Sequence, residues 1–113
     1  IEAVAALISH GADVNARDEY QKTPLHLAAG NNKIEAVAAL ISHGADVNAR
    51  EEDGETPLMQ ASYYGHAKVV EALLDAGADK ELKATGGSWK GNTALEIARD
   101  ENKGDVVAIL ERR

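Results

Sequence analysis

Apolar residues recur along this chain in short bursts at helical spacing, and a glycine or a polar pair ends each burst. Ile1, Val4, Ala5, Leu7 and Ile8 form one stripe, and Gly11 follows it. Leu25, Ala28 and Ala29 form a shorter one, ended by Gly30-Asn31-Asn32. Ile34, Val37, Ala38, Leu40 and Ile41 repeat the first stripe and stop at Gly44. Leu58 opens another, separated by Gly65 from Val69, Val70, Leu73 and Leu74, which Gly77 ends. Leu95 and then Val106, Val107, Ile109 and Leu110 complete the series. The pattern predicts pairs of helices of two to three turns. Helices so short do not persist alone in water, so their stability must come from stacking. Thr23-Pro24 and Thr56-Pro57 read as N-cap and first helical residue: the hydroxyl accepts a free backbone N–H and the proline has none to lose. Thr93-Ala94-Leu95 opens the next helix without the proline.

The same pattern is periodic. Ile34 to Arg50, IEAVAALISHGADVNAR, stands letter for letter as Ile1 to Arg17, 33 residues earlier. Ala67 to Lys83, AKVVEALLDAGADKELK, is a looser copy at the same offset. A chain repeating at this period is a stack of small units. The expected division of this single domain is residues 1–17 as the second half of a truncated unit, 18–50 and 51–83 as whole units, and 84–113 as a C-terminal cap. Thr56 to Thr93 is four residues longer than the period, and the insertion is placed at Ala84-Thr85-Gly86-Gly87, before the turn Ser88 to Asn92. Glu111 replaces the apolar Ile41 and Leu74, and Arg99 replaces Ala29 and Ser62, so nothing is expected to pack on that side. The helix at Ile1 to Ile8 lacks its partner, which points to a fragment of a longer array or to a neighbour covering that face; a monomer is expected, with that face able to pack on another molecule.

Composition narrows the partner. Twelve basic against nineteen acidic residues give a net charge of −7. This argues against nucleic acid or an anionic membrane, which need clustered positive charge, and favours a basic partner. The chain has no cysteine, hence no disulfide and no thiolate chemistry. That fits an intracellular, cytoplasmic setting. Phe is absent and aromatics are 4%, so Ala, Leu, Ile and Val must build the core.

The motifs in phase with the period are Thr23-Pro24-Leu25-His26 with Ala28-Ala29, Gly65-His66, and Gly44-Ala45-Asp46-Val47-Asn48-Ala49. Together they resemble the ankyrin repeat over the whole chain. The resemblance implies an all-α solenoid with β-hairpin-like turns between helix pairs. It also implies that turn tips and first helices line a groove that binds another protein. The corresponding positions are Glu19, Tyr20, Lys22, Asn31, Glu52, Asp53, Glu55, Tyr63, Tyr64, Trp89 and Lys90. Departures matter too. Gln21 stands where the turn usually has glycine, a left-handed position that costs about 1–2 kcal/mol with a side chain. Met59 and Glu96 replace a histidine that links neighbouring units, which predicts looser junctions there, and Asn32-Lys33 replaces Gly-His. Asn15 and Asn48 resemble asparagines that a hydroxylase modifies in this family; the plainer reading is that each fastens its turn through backbone hydrogen bonds.

No reactive constellation stands out. His10 and His43 are one period apart, on the order of 10 Å if helices stack normally, while zinc ligands lie about 2 Å from the metal. Gly86 to Thr93 is glycine-rich, but Lys90 precedes Gly91 and no strand leads in, so it is no phosphate loop. Nor does Ser88 sit in a nucleophile elbow. Trp89 is either an anchor for its own turn or an exposed contact residue. Tyr20, Tyr63 and Tyr64 are expected on the surface. Glu51, Glu52, Asp53 and Glu55 make one tip acidic, suited to steering a basic segment. The expected function is protein–protein interaction, with no catalysis, no cofactor and no metal. The alternative is a structural or spacer array within a larger multidomain protein, or an engineered repeat protein.

Overall fold

A threonine starts the first helix of every pair. Thr23, Thr56 and Thr93 take extended backbone, and their hydroxyls accept the N–H of His26, Met59 and Glu96. Proline follows at 24 and 57, where its fixed φ suits the first helical turn. The computed structural model describes residues 13–113. It contains α1 (Pro24–Gly30), α2 (Ile34–Ser42), α3 (Pro57–Tyr64), α4 (Ala67–Asp75), a 3-10 turn (Gly87–Trp89), α5 (Ala94–Asp100) and α6 (Gly104–Arg112). No strand occurs among the described residues. The stripe at Ile1 to Ile8, the unpartnered face it would present, and His10 lie outside them.

The helices stand in two rows. α1 packs on α3 and α3 on α5; behind them α2 packs on α4 and α4 on α6. Each first helix also packs on its own second helix. The result is elongated, 40 × 26 × 20 Å. One continuous core runs along it, through Leu25, Val37, Leu58, Val70, Ile97 and Val106. Each large aliphatic side chain buried there stabilises the fold by about 1.5–3 kcal/mol. Ala28, Ala29, Ala61, Ser62 and Ala98 are buried between helices, where their small size permits close approach. Past α5 and α6 the face turns polar: Arg99 and Glu111 are both exposed and pair with each other at 2.6 Å. An exposed pair contributes under about 1 kcal/mol, so its effect is to keep that face wet.

Polar stitches run between adjacent units. His26 Nδ1 accepts the Thr23 backbone N–H at 3.1 Å, which leaves Nε2 as the donor to the Glu55 carbonyl at 2.8 Å. His66 Nε2 lies 3.0 Å from the Gly30 carbonyl. Asn15 Oδ1 accepts from Asp46 N at 2.8 Å, and Asn48 Oδ1 accepts from Asp79 N at 2.7 Å. These asparagines therefore bond across to the next unit instead of fastening their own turns. Arg17 donates to the Arg50 carbonyl at 2.7 Å, and Arg50 to the Lys83 carbonyl. At the positions lacking the linking histidine, Met59 is buried in the core and Glu96 keeps only the local half of the role, accepting Thr93 N at 2.9 Å. That bond holds the Glu96 carboxyl below its ordinary range.

Backbone pairs close the hairpin tips. Asp18 N donates to Lys22 O and Glu51 N to Glu55 O, both at 3.0 Å. Asp18 Oδ1 also accepts Tyr20 N and Lys22 N, and Glu51 Oε1 accepts Asp53 N and Glu55 N. Glu51 is thus a buried turn anchor and not part of an exposed acidic tip. Ala84 takes the same base position, paired with Asn92 at 3.0 Å. The extra residues therefore enlarge the tip within 85–91, and Ala84 is not part of the insertion. Sequence spacing gave the insertion's length, but only the pairing locates it. Successive tips are joined by backbone: Glu52 N donates to Tyr20 O at 3.1 Å, and Thr85 N to Asp53 O at 2.8 Å.

Two predictions follow from this geometry. Gln21 is left-handed at φ 65°, as is its counterpart Gly54 at 73°. Gln21→Gly should raise stability by about 0.5–1 kcal/mol, the strain relieved less the added unfolded-state entropy. Gly54→Ala should lower it by more than about 2 kcal/mol, because the new Cβ would lie 2.9 Å from the Thr85 nitrogen. Urea midpoints of the two variants check both signs. Burial, only partly opposed by the bond to the Glu55 carbonyl, pulls the His26 pKa below 6.5. The unfolded imidazole then takes up a proton at higher pH than the folded one, so stability present above pH 6.5 declines as pH falls below it. Glu55, whose carboxyl is raised, works in the opposite direction, so the comparison must be with His26→Gln. The stability gap between wild type and that variant should narrow between about pH 7.5 and about pH 5.5; a constant gap would contradict a neutral His26.

Candidate functional site

α1 and α3 turn one face away from the core, and the hairpin tips project beside it. The side chains on that face come from positions that the stacking leaves free. Three recesses lie along it. The first, about 170 Å³, is lined by Lys22, Leu27, Gly30, Asn31, Gln60 and Tyr64, with His26 at its floor. The second, about 290 Å³, lies between the tips and is lined by Tyr20, Lys22, Glu52, Asp53, Glu55 and Gln60, with Glu51 beneath. The third, about 300 Å³, is lined by Asp53, Glu55, Gln60, Tyr63, Tyr64 and Trp89, closed by Gly87 and Ser88 of the enlarged tip. Shared walls at Lys22, Asp53, Glu55, Gln60 and Tyr64 make the three one trough.

Of the expected contact residues, Tyr20, Lys22, Asn31, Glu52, Asp53, Glu55, Tyr63, Tyr64 and Trp89 line this trough. Glu19 and Lys90 are exposed at their tips but line none of the three recesses. Among the lining residues outside the expected set are two long side chains on the trough face of the helices. Gln60 borders all three recesses, and Leu27 is its counterpart one period earlier. The signal was present: Leu27 and Asn31, like Gln60 and Tyr64, are four apart and share a helix face.

The tyrosines are not alike. Tyr64 is exposed, whereas Tyr63 and Trp89 are half-buried and pack against the core. Tyr63 meets Tyr64 edge-to-face at 4.8 Å and Trp89 edge-to-face at 5.8 Å. Such pairs add about 0.5–1.5 kcal/mol beyond burial, so Trp89 anchors the enlarged tip and walls the trough at once. Tyr64 also stacks on His66 at 5.9 Å.

The trough is acidic in its middle. Carboxylate oxygens of Glu51, Asp53 and Glu55 lie within 4.8 Å of one another. Burial first, then the charges of Glu51 and Asp53, push the Glu55 carboxyl above its ordinary value, with Lys22 opposing. Gln60 Nε2 donates to Glu55 Oε1 at 2.9 Å. Glu51 spends one oxygen on two backbone N–H groups, so it serves the turn. The imidazoles of His26, His43 and His66 are likewise engaged with backbone atoms. The arrangement presents rings, amides and carboxylates along one open face.

No curated protein matches the chain. No helix among the described residues is long and apolar enough to cross a membrane. The family model for ankyrin repeats (3 copies) matches residues 1–84 and 52–112, nearly the whole length. Ankyrin repeats are generally protein-interaction modules and generally non-catalytic. Short helix pairs in two rows, tips joined edge to edge, and this match lead to one assignment: the chain belongs to the ankyrin-repeat family.

Proposed function

We propose that this chain binds another protein through the trough formed by α1, α3 and the three hairpin tips, without chemistry of its own. The supporting observation is the distribution of exposed large apolar side chains. Of the four such side chains among the described residues, Tyr20, Leu27 and Tyr64, which are 51%, 49% and 52% exposed, line the trough, and only Ile34, at 38%, lies elsewhere. Singly exposed apolar residues need no explanation, but several gathered along one concavity mark a contact surface. Tyrosine supplies contact area at low entropic cost, which suits it to anchoring a partner. The acidic centre at Glu52, Asp53 and Glu55 favours a partner segment carrying positive charge.

The choice of variants follows from burial. Tyr63→Ala or Trp89→Ala would remove core packing, at about 1–3 kcal/mol for a half-buried ring, and confound binding with folding. The triple variant Tyr20→Ala, Leu27→Ala, Tyr64→Ala removes the exposed side chains: the changes at Tyr20 and Leu27 are each within about 0.5 kcal/mol of neutral, and Tyr64→Ala costs about 0.5–1.5 kcal/mol for the lost edge-to-face contact with Tyr63. Immobilised wild-type protein should retain partner proteins from a cell lysate that the triple variant does not, while the variant still unfolds cooperatively well above the temperature of the experiment. Retention of the same proteins by both would remove the trough as the binding surface.

A further inference from the structure

The recess between the enlarged tip and α3 has a composition unlike the rest of the trough. Its walls are the rings of Tyr63, Tyr64 and Trp89, and its rim carries Asp53 and Glu55, with no lysine or arginine lining it. No ion pair neutralises either carboxylate among the described residues. Gln60 occupies one oxygen of Glu55, and the other is not hydrogen-bonded among them. Around Asp53 the tip is built to press close. A Cβ at Gly87 would lie 2.8 Å from Asp53 Oδ2, and one at Gly86 3.1 Å from Oδ1, so glycines bring the tip against a carboxylate that remains uncompensated.

Like charges confined this way favour the arrival of a cation. Ring faces attract cations through their quadrupoles, more strongly once the pair is desolvated. Tyr63 stands at 79° to Tyr64 and 70° to Trp89, so adjacent rings present faces in different directions around the recess. A compact ammonium satisfies the carboxylates but has no plane to lay on a ring. A guanidinium stacks flat on aromatics, keeps five donors in a fork for carboxylates, and sheds water more readily. An acidic cluster alone would not decide between a metal ion and a side chain; the aromatic walls favour the side chain, since a planar guanidinium stacks on ring faces, whereas a hydrated metal ion is held by oxygen ligands around it.

We propose that this recess takes the guanidinium of a single arginine carried on an exposed segment of the partner protein. The inference rests on the trough being the binding surface and specifies the chemistry of one contact in it. The side chain enters between Trp89 and Tyr64, stacks on a ring face, and places its N–H groups against Asp53 and Glu55.

Trp89 is the only tryptophan, so its emission reports on this recess. The probe is a capped pentapeptide, acetyl-Gly-Ser-Arg-Ser-Gly-amide, with versions carrying citrulline or lysine in place of arginine. Citrulline keeps the plane and loses the charge. The arginine peptide should shift Trp89 emission saturably, with a Kd on the order of 1 mM as befits one side chain. Citrulline should weaken binding at least tenfold and lysine by about three- to tenfold. Asp53→Asn and Glu55→Gln should each weaken it about tenfold without lowering the unfolding midpoint, while Asp105→Asn, a charge-matched change on α6, should leave it unaltered. Equal binding of the citrulline or lysine peptide, or indifference to Asp53→Asn and Glu55→Gln, would overturn the proposal. If lysate partners are lost in the triple variant but retained by Asp53→Asn with Glu55→Gln, the arginine contact falls and the trough stands. If neither set of changes affects retention, both fall.

Discussion

Everything in this molecule depends on contact between neighbours. The helices have seven to nine residues, below the length at which an isolated helix holds together in water. None has a stripe wide enough to bury itself against a single partner. α3 becomes stable because α1, α4 and α5 each cover part of it. The core is therefore a shared property of adjacent units, and long-range closure plays no part in it.

This arrangement divides the residues by role. Positions facing the next unit must be small or apolar, as with Ala29 and Ser62, or must complete a polar stitch, as with His26. Positions on the trough side face no neighbour and are free to differ. Leu27 and Gln60 occupy the same place in successive units yet have different chemistry, and Gly30 and Tyr63 likewise. Specificity can accumulate on that side without disturbing the stack. Tyr63 and Trp89 are the exception, because the enlarged tip recruits them into packing as well as lining.

Most of the architecture was legible in the chain because its determinants are local. Thr-Pro starts, glycine stops and helical spacing of Leu, Ile and Val each act within a turn or two, and the period repeats them in phase. The trough was legible in outline, through the family resemblance, down to Tyr20, Asn31 and Tyr64. What escaped depended on distant contacts. Glu51 looks like one more acidic tip residue until its carboxylate is seen turned inward to two backbone amides. Leu27 stands beside the stripe of Leu25, Ala28 and Ala29 without belonging to it, and the packing of α1 leaves its side chain half exposed in the trough. Ala84 looks like the start of an insertion, yet its pairing with Asn92 makes it the base of the hairpin. In each case the residue type permits two environments, and the partner across space decides.

The seam between tips carries a last consequence. Its donors and acceptors are peptide groups, from Glu52 to Tyr20 and from Thr85 to Asp53, so alignment of one unit on the next is indifferent to which side chains the tips display. Evolution, or a protein engineer, can therefore shuffle those side chains and keep the curvature of the array intact. The forbidden letter is proline at Glu52 or Thr85, which would delete the amide that holds two units in step.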